Sequence, residues 1–189
     1  MDEQAIFITG PPGVGKSSCL ERLARDCDDL LIDGVISGEM RRDGKRAGFE
    51  MRLISSGASG VLASPDIESE IRFGTLRESD GEPRLGVSHD FLRDIVCPHL
   101  RAVAGKADLI VVDEIGAMQA TCAEFRAVVG ELIAARTRLL ASVSLSEDPW
   151  ISGLRASIPT VELTRSNREL LTEMLTTHAS RWAAPDGGS

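Results

Sequence analysis

One contiguous stretch constrains this 189-residue chain more than any other. Ala5-Ile-Phe-Ile-Thr9 is a short β-branched and aromatic run that reads as a buried strand. From Ser17 to Asp26, Cys19, Leu20, Leu23 and Ala24 recur at helical spacing. Between them, Gly10-Pro11-Pro12-Gly13-Val14-Gly15-Lys16-Ser17 satisfies GxxxxGK[ST] at every fixed position. Strand, glycine loop and helix in that order predict a phosphate-binding loop. The glycines let successive backbone N–H groups curl inward toward a β-phosphate, and the helix N-terminus adds its positive dipole. Lys16 has the reach for β- and γ-phosphate oxygens, the Ser17 hydroxyl suits Mg²⁺, and Ser18 follows at the start of the helix. Pro11 and Pro12 stiffen the loop.

A second motif can converge on the first. Leu109-Ile-Val-Val-Asp113-Glu114 is an apolar strand ending in two carboxylates, and in a parallel sheet its C-terminal edge is the edge that carries the phosphate loop. Asp113 is expected to hold Mg²⁺, a cation bound by few carboxylates plus phosphates and water. Glu114, beside a γ-phosphate, can orient and deprotonate a water, an effect worth about 10²- to 10⁴-fold in rate. P-loop enzymes with such a glutamate place an extra strand between the loop strand and the acidic strand. Leu139 to Leu145 is the candidate, with Ser142 or Ser144 near its end as a phosphate sensor.

Elsewhere the pattern alternates. Leu30 to Ser37 reads as a strand, and Gly38 to Ser55 as strand, turn, strand around Asp43-Gly44, a hairpin dipeptide. A second hairpin is expected around Asp80-Gly81. Residues 38–88 thus read as a β-rich insertion. Phe91 to Ala104 is amphipathic, with Pro98 expected to kink or interrupt it. Thr121 is expected to cap a helix running to Arg136, with Glu124 as its capping-box partner. A helix from Pro149 to Ala156, a strand from Thr160 to Leu163 and a helix from Ser166 to Ala179 follow. The expected architecture is α/β: one three-layer P-loop NTPase domain over residues 1–184, with a mostly parallel sheet, helices on both faces, a catalytic-glutamate arrangement and an antiparallel hairpin insertion. Residues 185–189 read as a flexible tail.

Composition removes other classes. The net charge of −8 and the scatter of basic residues argue against bulk binding of nucleic acid. No apolar run approaches the ~20 residues of a membrane helix. The N-terminus begins acidic and lacks the basic lead of a secretory signal, so a cytoplasmic location is expected. Cys19, Cys27, Cys97 and Cys122 form no CxxC pair and read as small buried side chains.

Beyond the two motifs, Asp113-Glu-Ile-Gly-Ala-Met118 resembles the DEIGxM element of the small nucleoside-triphosphatase family known from thermophiles, whose human member is called cancer-related nucleoside-triphosphatase. Gly38 to Phe49 resembles that family's ExR-x-x-G-x-R-x-GF hairpin, Leu62-Ala63 its LA pair, and Thr164-Arg-Ser-Asn167-Arg168 its T-x-x-NR segment. Two departures stand out. Gln119 occupies a position where the family usually has Glu, and Ile71-Arg-Phe-Gly-Thr75 replaces its G-x-Y stretch. The resemblance implies Mg²⁺-dependent hydrolysis of nucleoside triphosphates to diphosphates, with little base selectivity and slow turnover. It also gives Arg41, Arg46 and Arg168 the positions from which an arginine would meet the γ-phosphate. Asn167 suits either a base or ribose contact or a helix N-cap. A nucleotide or nucleoside kinase shares this loop and size, and a nucleotide-dependent switch module is a third reading. A monomer is the default expectation for a compact domain without a coiled coil.

Overall fold

The structure is a computed structural model that describes residues 4–74 and 84–183. Its spine is one sheet, and the strands number nine among the described residues: β1 (Ala5–Thr9), β2 (Ile32–Arg42), β3 (Lys45–Leu53), β4 (Ser59–Ser64), β5 (Arg72–Phe73), β6 (Leu85–Val87), β7 (Leu109–Ile115), β8 (Leu139–Val143) and β9 (Thr160–Glu162). Their order is β5-β6-β4-β3-β2-β7-β8-β1-β9. From β2 to β9 neighbouring strands run parallel, and from β2 to β5 they run antiparallel. The expected extra strand is present, since β8 lies between β1 and β7. The hairpin at Asp80-Gly81 and the tail at 185–189 lie outside the described residues.

Helices cover both faces. Alternate residues of β7 explain its uninterrupted apolar run: Ile110 and Val112 join Phe125, Val128 and Leu100 on one side, while Leu109 and Val111 join Leu20, Leu23 and Leu171 on the other. The second face carries α1 (Lys16–Asp26) and α7 (Arg168–Ala183). The first carries α2 (His89–Phe91), a π turn (Leu92–Val96), α3 (Cys97–Val103) and α5 (Ala123–Ala134). Between β7 and α5 lies α4 (Ala117–Ala120), and α6 (Pro149–Ser157) links β8 to β9.

Three local expectations are refined. β2 does not stop at Ser37. Its first half pairs parallel with β7 and the same strand continues to Arg42 as one arm of the hairpin, with Asp43 (φ 51°) and Gly44 (φ 77°) taking the left-handed turn conformations. Pro98 does not break its helix. The missing N–H and the crowding of its ring are absorbed by the π turn just before it, where the Cys97 N–H reaches back to the Leu92 carbonyl. Thr121 is not the cap of α5. That position belongs to Cys122 with no side-chain capping bond, while the Thr121 hydroxyl donates to the Met118 carbonyl (2.6 Å) and meets His89 Nε2 (2.8 Å). The capping box with Glu124 therefore does not form, because a tertiary partner claims the hydroxyl.

Candidate active site

The loop between β1 and α1 is held open by backbone conformations that favour glycine. Gly10 has φ 148°, and a Cβ there would meet the Leu163 carbonyl at 2.5 Å. Gly15 has φ 107°, and a Cβ there would stand 3.0 Å from Arg168 Cδ. The loop thus needs glycine for both turn and neighbour. Gly15 caps α1 without a side-chain bond and the first turn holds no acid, so the N–H groups of Lys16, Ser17 and Ser18 face outward as helix-terminal donors. Pro11 and Pro12 have no N–H, and Val14 turns its side chain into the core with its N–H on the Pro11 carbonyl (3.3 Å). Lys16 Nζ donates to the Gly10 carbonyl (3.0 Å) and lies 3.9 Å from Glu114 Oε1. The two motifs far apart in sequence are therefore joined at their charged ends.

Asp113 and Glu114, adjacent in the chain and joined by a cis peptide bond, have opposite surroundings. Asp113 is 1% exposed. Its Oδ1 accepts from the Ser142 hydroxyl (2.5 Å), and its Oδ2 from the Ser37 hydroxyl (2.8 Å) and Ser37 N–H (3.2 Å). Ser142 therefore orients the carboxylate at the end of β8. Ser37 was not singled out by sequence, because only the β2–β7 pairing brings it there. Glu114 makes no hydrogen bond through its carboxylate with a described residue. Burial pushes its pKa above the ordinary glutamate value, the Asp113 charge adds to that, and the Lys16 ammonium opposes it.

The predicted arginines separate into two groups. Arg168, at the start of α7, lays its side chain against Gly15 of the loop and makes only a long exposed contact with Glu169 (3.4 Å). Arg41 and Arg46 lie on the hairpin, which extends beyond the last β2–β7 pairing. Arg41 pairs with Glu39 at 2.7 Å, and Arg46 pairs with Glu39 at 3.2 Å and stacks on Phe49. Asn167 is committed to its own turn: Oδ1 accepts from the Thr164 N–H (2.8 Å) and Nδ2 donates to the Glu162 carbonyl (2.9 Å). It fixes the turn from which Arg168 emerges, with one Nδ2 N–H and one Oδ1 lone pair not used in that turn. Asn167 does hold the position just before α7, its carbonyl accepting from the Leu171 N–H (2.8 Å), but without a side-chain capping bond.

The donor set suits a hard cation. Asp113 offers carboxylate oxygens and Ser17 a hydroxyl that bonds to no described residue. No cluster of three or more His, Cys, Asp or Glu exists among the described residues, so further ligands would come from phosphates and water. The four cysteines are buried, and burial lifts the Cys97 thiol to about 12. No helix among the described residues is long and apolar enough to cross a membrane.

Comparison with known proteins gives the same picture. The nucleoside-triphosphatase THEP1 of Thermococcus kodakarensis is 39% identical over 142 residues, covering 73% of this chain and 74% of that protein. The THEP1 of Thermotoga sp. (strain RQ2) is 34% identical over 173 residues, covering 90% and 92%. The crystal structure of THEP1 from Aquifex aeolicus shares the fold, with a TM-score of 0.77 at 24% identity over 94% of this chain and 99% of that one. The solution structure of a human cancer-related nucleoside triphosphatase does so with a TM-score of 0.72, also at 24% identity, over 94% and 97%. A family model described as NTPase matches residues 5–176, nearly the whole span over which the phosphate loop, the acidic strand end and the closing turn were read, and the chain belongs to that NTPase family.

Proposed function

We propose that the protein hydrolyses ATP, GTP, CTP and UTP to the diphosphate and inorganic phosphate, in a Mg²⁺-dependent reaction with broad base selectivity and slow turnover. One observation carries this reading: Glu114, its pKa raised and its carboxylate unbonded, stands at the mouth of the phosphate loop 3.9 Å from Lys16. In this reading the phosphates rest on the N–H groups from Gly13 to Ser18, with Lys16 leaving the Gly10 carbonyl for β- and γ-oxygens. Glu114 takes a proton from water as the water oxygen bonds to the γ-phosphorus. The bond from that phosphorus to the bridging oxygen breaks, and its electrons leave with the diphosphate. Arg168, lying on Gly15, is the arginine placed to meet charge developing on the phosphates. Ser17 and Asp113 would hold the Mg²⁺, whose charge offsets that of the phosphate oxygens.

The selectivity and the pace follow from what is committed elsewhere. With the Asn167 carboxamide bonded into its turn, it has only one N–H and one lone pair to offer a base. With Arg41 and Arg46 paired to Glu39, the charge that an arginine finger would bring, worth about 10³- to 10⁵-fold, is engaged on the hairpin. The acidic chain is taken to act on free nucleotides, as a cytoplasmic monomer.

The test is phosphate release from all four triphosphates, with and without Mg²⁺, for wild type and Glu114→Gln. The expected result is hydrolysis of all four and a loss of about 10²-fold or more in the variant with binding retained. Wild-type protein that binds triphosphate but releases phosphate only onto a nucleoside or monophosphate acceptor would replace hydrolysis with phosphoryl transfer.

A further inference from the structure

A second buried polar group points at the space beside Glu114. Gln119, on α4, is 2% exposed, its carboxamide bonds to no described residue, and what exposure it keeps lies on its polar atoms. The position between the two side chains is Gly116. A Cβ there would stand 3.1 Å from Gln119 Oε1 and 3.6 Å from both Cγ and Cδ of Glu114. The two side chains therefore converge on one gap that a single methyl group would narrow. The Gly116 backbone itself does not call for glycine, since φ −126° and ψ 178° are open to any residue. What the glycine leaves is space. Asp113, one residue before Glu114, shows the contrast, with both oxygens engaged by Ser37 and Ser142. Gln119 Oε1 and the carboxyl end of Glu114 thus border one small gap, and between them they can offer a water molecule two acceptors.

We propose that this gap seats the attacking water and that Gln119 is a catalytic residue of the reaction; the proposal rests on the hydrolytic reading above. Gln119 Oε1 accepts one O–H of the water and Glu114 accepts the other, which turns an oxygen lone pair toward the γ-phosphorus. Only the proton on the Glu114 side is transferred. The proton held by Gln119 stays on the oxygen that becomes part of inorganic phosphate, while the bond to the bridging oxygen breaks and its electrons leave with the diphosphate. A neutral amide does this without adding another negative charge against an incoming triphosphate.

The experiment is ATP hydrolysis under saturating and limiting nucleotide by the full chain, in wild type, Gln119→Met, Gln119→Glu, Gly116→Ala and Glu114→Gln. Met keeps the length of the side chain and removes the acceptor. Its expected effect is a fall in kcat of about 10- to 100-fold, the size of one lost hydrogen bond to a reacting group, with KM within about twofold and no loss of thermal midpoint. Glu keeps an acceptor oxygen and should recover most of the loss. Gly116→Ala keeps Gln119 and crowds the water out, so it should fall in kcat by a similar factor, and it serves as the second test should the Met variant fold poorly. A kcat within twofold of wild type in both Gln119→Met and Gly116→Ala would overturn the proposal, as would a Gln119→Glu variant as slow as Gln119→Met. Full activity in Glu114→Gln would instead remove the base assignment alone, because the Gln119 and Gly116 arms are read independently of it.

Discussion

Two carboxylates on neighbouring parallel strands behave in opposite ways. Asp33, near the start of β2, is 7% exposed. Burial alone would raise its pKa, but hydrogen bonds from Ser55 and Gly34 and the His99 imidazole at 3.0 Å bring it below the ordinary carboxylate value. Glu114, near the end of β7, is half-buried beside the Lys16 ammonium with no hydrogen bond, and desolvation raises its pKa. The difference teaches that burial of an acid says little by itself. A carboxylate held by several donors at one oxygen is kept ionised, whereas one without a hydrogen bond beside the glycine loop keeps its oxygens open.

The comparison is broken most severely at Glu114. Glu114→Gln should lower hydrolysis by about 10²- to 10⁴-fold with little change in the thermal midpoint, because the long, half-exposed pairing with Lys16 that it removes contributes little to stability. Phosphate release and a melting curve on the same preparation check both halves. Asp33→Asn should do the reverse, costing about 1–3 kcal/mol of stability in denaturant titration with kcat within about twofold.

The pH dependence sharpens the contrast. Asp33 has a depressed pKa in the folded chain, so its contribution is present above the unfolded-state value and is lost as pH falls through the folded one. Melting curves across the acid range should show that loss in wild type and a flatter profile in Asp33→Asn. With Glu114 as the proposed base, the acid limb of the rate profile should lie above the ordinary glutamate value.

The arginines offer a smaller version of the same test. Arg168→Ala, which strips the side chain lying on Gly15, should reduce kcat by about 10- to 100-fold. Arg41→Ala removes an exposed partner of Glu39 and should change kcat by less than about threefold. A large loss at Arg41 with none at Arg168 would reverse their assignment, and steady-state kinetics decides it.

Much of the site was legible because its signals are local. Gly10 to Ser17 sit within one loop whose glycines, lysine and serine each answer a need of phosphate binding, and Asp113-Glu114 closes a run too apolar to be anything but a doubly covered strand. The place of β8 followed instead from the strand order of P-loop enzymes that carry such a glutamate. Other features depended on partners remote in sequence. Ser37 became an Asp113 ligand only through β2–β7 register, and Ser142 turned out to orient that carboxylate. Thr121 carried a good capping signature and lost it to Met118 and His89. Asn167 left two readings open; it takes the position before α7 through its carbonyl, while its carboxamide bonds within the preceding turn. Pro98 was rightly a disturbance, but whether a helix breaks or widens there depends on the core that Leu92, Val96 and Leu100 must still reach.

By itself the sequence determined the phosphate loop, the acidic strand end, the alternation of strands and helices, and the chemistry open to Lys16, Ser17, Asp113 and Glu114. These follow from backbone conformations and hydrophobic periods that act over a few residues. Only the tertiary structure decided which of two adjacent carboxylates is hydrogen-bonded and which is not, which arginine lies on the loop and which pair with Glu39, and that Gln119 shares a gap with Glu114. The physical reason is that a polar group's state depends on whether its partners arrive, and in a parallel sheet those partners come from strands and loops far along the chain.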